Sequence, residues 1–175
     1  TVLCCGAFWA GGMTLFEAVN HAMSTVSTGG FSTYDAAFGY WDSPILEWTA
    51  IVFMLLGGIN FGLHFIAWRR ASVSVYSSDS ELRSFVRIVA VASLLVTFMI
   101  WIGGDYAGFG DSLRYATFQV VSSITTTGFA VPGFSEWSGA APLLVVGIAF
   151  IGGCSGSTVG GLKVARVVMV VRQGY

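Results

Sequence analysis

Two short turns carry residue types able to strip water from a cation. Ser27-Thr28-Gly29-Gly30 and Thr125-Thr126-Thr127-Gly128 each run hydroxyl residues into a glycine. An extended run of this kind points successive carbonyls, with some hydroxyls, in one direction. Glycine adds φ > 0 and so aims a carbonyl where a residue with a Cβ would be strained. A ring of such carbonyls can replace the hydration shell of a monovalent cation. An anion pore would be expected to show arginine or lysine here, and neither turn contains one. A third stretch reads Gly152-Gly153-Cys154-Ser155-Gly156-Ser157-Thr158-Val159-Gly160-Gly161, with Lys163 just after it. So many glycines and hydroxyls cannot stay a rigid helix in lipid, yet they can swing in a wet cavity.

Other chemistry is weaker. Gly153-Cys154-Ser155-Gly156 has the shape of a nucleophilic serine motif, and the chain has two histidines, His21 and His64. A nucleophilic serine needs a base within hydrogen-bond reach. Both histidines precede Ser155, one on a short re-entering helix and one near the inner end of a span. An intramembrane serine protease using Ser155 is therefore a distant alternative. Cys4, Cys5 and Cys154 show neither metal-ligand spacing nor a disulfide set and read as small packing residues. The Gly58-x-x-x-Gly62 and Gly152-x-x-x-Gly156-x-x-x-Gly160 spacings could merely pack helices in a non-conducting structural subunit. That reading leaves the two matching turns unexplained.

The turns belong to a longer internal repeat. Residues 26–31 recur as 124–129, Ser24 pairs with Ser122, and Pro44 with Pro142. After a short slip, Leu56-Gly57-Gly58-Ile59-Asn60 meets Ile151-Gly152-Gly153-Cys154-Ser155. The unit is a short helix, a hydroxyl-and-glycine turn, an aromatic-rich outer loop and a proline-started spanning helix. Thr14 and Glu17 form a capping-box pattern, which predicts a helix from Thr14 to about Thr25. Its counterpart is predicted from an N-cap at Asp111 to about Ile124. About twelve residues at ~1.5 Å each give roughly 18 Å, near half a bilayer, so each must re-enter. Their C-terminal ends, partly negative, would then point toward the bilayer centre and favour a cation.

Composition fits such elements. The 175 residues are 55% hydrophobic and 10% charged, with a mean hydropathy of +0.77, a net charge of −1 and 23 glycines. An ordinary soluble domain, a disordered chain and a nucleic-acid binder are all excluded. The membrane and its lipid are the expected surroundings. Ile45 to Trp68 and Phe85 to Gly103 are each long enough to cross. Val2 to Gly12 reads as the tail of a further span, and Pro142 to Ile151 with Leu162 to Val171 as one span broken by the glycine-rich stretch. The chain thus reads as an excerpt of a longer protein. Arg69, Arg70, Arg83, Arg87, Lys163, Arg166 and Arg172 fall on one side, which the positive-inside rule makes cytoplasmic. Glu17, Asp35, Asp42, Glu47, Asp105, Asp111 and Glu136 fall on the other with Arg114, an outer vestibule that would concentrate cations. Asp79, Glu81 and Arg83 are expected to form a solvated loop face on the inner side. Asn60 and His64, one turn apart, are expected to hydrogen-bond between helices, with the inner half of a pore as the alternative.

Five stretches together resemble one family: AVNHAMSTVSTGGFSTYDAAFGYW, FMLLGGINFGLHF, SSDSELRSF, SSITTTGFAVPGFSEW and FIGGCSGSTVGGLKVAR. The chain is similar to the Trk/Ktr/HKT superfamily of potassium transporters, most closely its bacterial TrkH-type subunits. The resemblance implies an all-α integral membrane fold of four non-identical helix–pore-loop–helix repeats around one pore, with re-entrant pore helices and one broken spanning helix. Residues 1–70 would be a second repeat truncated at its start, 71–84 a cytoplasmic loop, and 85–175 a third repeat. Gly30 and Gly128 would be the filter glycines, with carbonyls of Ser27, Thr28, Gly29, Thr125, Thr126 and Thr127 meeting K⁺. Residues 152–161 would be the family's intramembrane gating loop, which Lys163 could hold or release. Val159 stands where the family usually has a third consecutive glycine, and its stiffness bears on the gate. The resemblance further implies K⁺ uptake across the bacterial inner membrane, a homodimer and a cytosolic TrkA-like nucleotide-binding regulator. It implies no catalytic residue, and no cofactor in this chain besides the transported ion. It leaves channel-like and ion-coupled transport open.

Overall fold

The computed structural model describes residues 1–173, the side chains of Ser135, Val171 and Arg172 excepted. The orienting charge expected at Arg172, and the last two residues of the expected third repeat, lie outside the described set. Described residues form α1 (Val2–Ala10), α2 (Leu15–Val26), α3 (Pro44–Gly58), α4 (Phe61–Arg70), α5 (Ser74–Ser78), α6 (Ser80–Gly103), α7 (Phe109–Ile124), α8 (Ala141–Ala149) and α9 (Val164–Gln173). The described residues form an all-α fold, as the family resemblance implies.

Helix α2 starts where its cap predicts. Thr14 Oγ1 accepts the Glu17 N–H at 3.4 Å, and the Glu17 carboxylate accepts the Thr14 N–H at 2.8 Å. Such a cap contributes about 1 kcal/mol and fixes the helix start. Helix α7 begins two residues before the predicted cap. Gly108 occupies the N-cap and Asp111 lies in the first turn, where its charge still suits the positive helix end.

The run from Ile45 to Trp68 is not one straight span. It is α3 and α4, bent by 94° at Ile59-Asn60. The break has a local and a distant cause. Asn60 accepts the Gly62 N–H at 2.7 Å and so caps a new helix. The Gly58 carbonyl accepts the Cys154 N–H at 2.9 Å, and the Phe61 N–H reaches the Gly156 carbonyl at 3.1 Å. Backbone groups freed by the bend are thus satisfied by the glycine-rich stretch, which backbone at membrane depth requires.

Helix α6 is long and apolar enough to cross a membrane. It begins before the apolar run does, because Asp79 accepts the Leu82 N–H at 2.7 Å and caps it. Gly104, at φ +77, closes its far end. Helices α8 and α9 lie on either side of the glycine-rich stretch. Helix α7 is the hub, packing on α6, α3 and α8, while α2 packs on α1 and α3. Phe118, Val120, Val121 and Ile124 on α7 are buried. Phe38, from the loop before α3, sits against Phe118 and Phe129 at 5.4 and 4.8 Å between ring centroids. Aromatic pairs of this geometry help where lipid removes the hydrophobic drive between helices. Val91, Leu94, Leu95, Phe98 and Trp101 on α6 stay exposed, an apolar face suited to lipid.

Candidate ion pathway

The two turns share one backbone design. Ser27 N–H reaches the Met23 carbonyl, Thr28 N–H that of Thr25, and Gly29 N–H that of Ser24, at 3.0, 3.2 and 2.8 Å. The second copy repeats each bond: Thr125 to Val121, Thr126 to Ser123 and Thr127 to Ser122, at 2.9, 3.0 and 2.9 Å. Thr28 and Gly30 have φ of 54° and 72°; Thr126 and Gly128 have 50° and 86°. The turns are therefore not simply extended. Left-handed residues alternate with others, and this alternation lets neighbouring carbonyls share a side, where a strand would alternate them. A left-handed threonine costs on the order of 1–3 kcal/mol, and it persists only where its surroundings impose it. Spacing along the sequence marks the glycines but not the strained threonines.

Side-chain hydroxyls largely turn back on the scaffold. Thr125 Oγ1 donates to the Val121 carbonyl at 2.7 Å and lies 2.8 Å from Thr127 Oγ1. Ser122 Oγ donates to the Phe129 carbonyl at 2.6 Å. In the first copy, Thr28 Oγ1 donates to the Ser27 carbonyl at 2.7 Å. The copies differ at the counterpart of Ser122. Ser24 Oγ and Thr25 Oγ1 are buried without a partner among the described residues. Phe31 is 81% exposed where Phe129 is 1% exposed. The two turns meet at Gly30, where an added Cβ would collide with the Thr127 carbonyl oxygen.

The glycine-rich stretch is a closed loop held against both turns. Gly152 N–H meets the Leu162 carbonyl at 2.7 Å, and Leu162 N–H meets that of Phe150 at 3.2 Å, which joins the ends of 152–161. Thr158 Oγ1 lies 3.2 Å from Thr28 Oγ1 and 3.2 Å from the Gly57 carbonyl. Gly160 N–H donates to Thr126 Oγ1 at 2.9 Å. Ser157 Oγ returns to the Cys154 carbonyl at 2.6 Å. Lys163 Nζ donates to the Val159 carbonyl. Val159 is buried, and a Cβ on Gly153 would stand 3.0 Å from its Cβ and Cγ2. The valine fills space against the opposite limb of the loop.

Glu81 belongs here, although the sequence places it on a solvated face. Its Oε1 accepts from Ser155 N–H, Ser155 Oγ and Ala165 N–H at 2.7, 3.1 and 3.2 Å. Asp79 is likewise a helix cap rather than part of a solvated face. The available signal was that Asp79 and Glu81 are the two acids on the basic side of the chain.

Ser155 has no base. His21 is engaged by the Glu17 carbonyl and Ser32 Oγ at 2.8 and 2.9 Å, and His64 by Tyr76 Oη and the Leu56 carbonyl at 2.8 and 3.0 Å. The protease alternative therefore fails on geometry. His64 hydrogen-bonds to neighbouring helices, as expected, whereas Asn60 caps its own helix at Gly62. Cys4 and Cys154 are buried and Cys5 is half-buried.

The acidic vestibule is smaller than the count of acids suggests. Arg114 lies 3.5 Å from Asp42, 3.5 Å from the buried Glu47 and 3.7 Å from Asp111. Asp105 accepts from Ser138 Oγ at 2.9 Å. Glu17 accepts the Tyr34 hydroxyl at 2.5 Å, which pushes that hydroxyl up and holds Glu17 below the ordinary carboxylate range. Asp35 and Glu136 remain exposed. Most outer acids thus have partners in the scaffold, with Arg114 the one cation among them.

The TrkH family model, described as a cation transport protein, matches residues 2–175. The Trk system potassium uptake protein TrkH of Halomonas elongata is 44% identical over 174 residues, 99% of this chain and 36% of that protein. The protein of the same name from Escherichia coli K12 is 41% identical, again over 36% of its length. The crystal structure of the potassium transporter TrkH from Vibrio parahaemolyticus matches with a TM-score of 0.93 at 41% identity, over 99% of this chain and 37% of that one. The chain spans a little over a third of the length of the relatives it matches.

Proposed function

Because the chain belongs to the TrkH family of membrane-integral cation transport proteins, we propose that it is part of a pore taking up K⁺ across a bacterial inner membrane. In this reading, residues 1–70 and 85–175 are two of the family's helix–pore-loop–helix repeats. K⁺ sheds water onto the turn carbonyls, and the loop 152–161 gates its passage. The observation that carries the reading is the alternating-hand turn, made twice, with Gly30 set against the Thr127 carbonyl and the loop tied to both copies. A rigid carbonyl cage needs no side-chain charge, since backbone dipoles replace hydration. Two repeats cannot close a four-fold ring, so the chain alone does not conduct. The finer parts of the proposal are a homodimer and a cytosolic TrkA-like nucleotide-binding regulator, which rest on the family resemblance.

The test is rubidium or potassium uptake by the full-length protein in liposomes, with sodium as competitor, wild type beside Gly128→Ser. At φ +86 a serine is strained by about 1–2 kcal/mol. Potassium-selective flux that the serine weakens supports the reading. Equal flux in both removes Gly128 from the filter. No cation flux from folded protein points to a structural subunit.

A further inference from the structure

One carboxylate oxygen holds the glycine-rich loop and the start of the helix that follows it. Ser155 lies in the incoming limb and Ala165 in the first turn of α9, ten residues on, yet both N–H groups converge on Glu81 Oε1 with the Ser155 hydroxyl beside them. Glu81 itself sits in the first turn of α6, which Asp79 caps. The acceptor is thus fixed to the end of a long helix rather than to a mobile loop. Bonds to an ionised acceptor are about twice as strong as neutral ones. The loop's other ties are neutral: Thr158 to Thr28 and Gly57, Gly160 to Thr126, Cys154 to Gly58 and Gly156 to Phe61. Lys163 binds the loop's own Val159 and does not anchor it to another helix.

We propose that Glu81 is the latch of the gate: a positioning residue that helps keep the loop closed against the turns, and whose withdrawal with the start of α6 loosens the loop and the start of α9 together. The proposal rests on the loop being the gate. It adds where the closing force is applied. An α6 movement too small to disturb the filter would break three bonds at once, since all converge on one atom. The three bonds are then made or lost together, beside the neutral ties that run to α3, α4 and the turns.

Cys154 reports loop opening without reference to ion flow, because it is 1% exposed and adjacent to Ser155. In the full-length protein, with the other cysteines replaced, alkylation of Cys154 by a small maleimide is followed beside rubidium uptake. Wild type is compared with Glu81→Gln, Glu81→Ala and Ser155→Ala. Glu81→Gln keeps the shape and an acceptor oxygen, so it separates loss of charge from loss of fold. Glu81→Ala is expected to speed alkylation about tenfold or more, the scale of one lost charge-assisted bond. Glu81→Gln and Ser155→Ala should fall between it and wild type, and uptake should rise in the same order. Faster alkylation with unchanged uptake keeps the latch and removes the loop from the role of gate. Unchanged alkylation in Glu81→Ala overturns the latch.

Discussion

Gly30 stands where any side chain would run into the carbonyl oxygen of Thr127. The two copies of the turn are therefore not independent sites on one chain. Each is the wall of the other, and the spacing between their carbonyls is set by a glycine.

Gly30→Ala should be severe for that reason. The added methyl meets backbone, which cannot rotate aside, and it also forces alanine to φ +72. We expect a stability loss of about 2–3 kcal/mol and at least about tenfold slower K⁺ uptake in the full-length protein, since a one-ångström shift can cost far more than that at a site needing fixed geometry. Thermal unfolding and liposome flux check it. Wild-type values in both would mean the turns do not touch.

Val159→Gly should loosen the loop. The substitution removes a buried side chain set against Gly153 and adds backbone freedom between Thr158 and Gly160. A cost of about 1–2 kcal/mol is expected from lost packing and glycine entropy. Alkylation of Cys154 should quicken while the fold stays intact by circular dichroism. Slower alkylation would show the valine holding the loop open.

Arg114→Ala should destabilise far more than a surface ion pair would. Glu47 is 1% exposed, and its carboxylate has no hydrogen bond among the described residues, so the arginine is its counter-charge. Breaking such a buried pair costs about 3–5 kcal/mol. The double variant Arg114→Leu with Glu47→Leu should recover much of the loss. A double-mutant cycle by thermal unfolding measures the coupling; additive single losses would remove the pairing from the account.

Tyr34→Phe should act through pH. Glu17 is held below its ordinary value of 4.5, first of all by the Tyr34 hydroxyl. A lowered carboxylate contributes stability that is complete above the unfolded value and is lost as pH falls through the folded one. The phenylalanine variant should therefore be less stable than wild type at neutral pH, with the difference shrinking as pH falls below 4.5. Unfolding temperatures across that range decide it. A constant gap would mean the hydroxyl acts by packing.

Local chemistry made much of this protein legible in advance. The capping box at Thr14 placed the start of α2, the matching Ser/Thr/Gly runs marked both turns, and the glycine-rich stretch marked the break between α8 and α9. Apolar content with few charges established the membrane. Each of these signals lies within a few residues, where backbone preference and hydropathy act directly. The left-handed hand of Thr28 and Thr126 was not legible, because threonine adopts it only when its surroundings force it. Nor was the 94° bend after α3, since its freed backbone groups are satisfied by Cys154 and Gly156 from the other repeat. Glu81 and Arg114 looked like ordinary charges until folding gave them distant partners, 74 residues away at Ser155 for the first and on α3 for the second. A sequence determines what each segment prefers. Which distant group completes its hydrogen bonds and charges is decided only when the segments are brought together, because that partner is chosen by proximity in space.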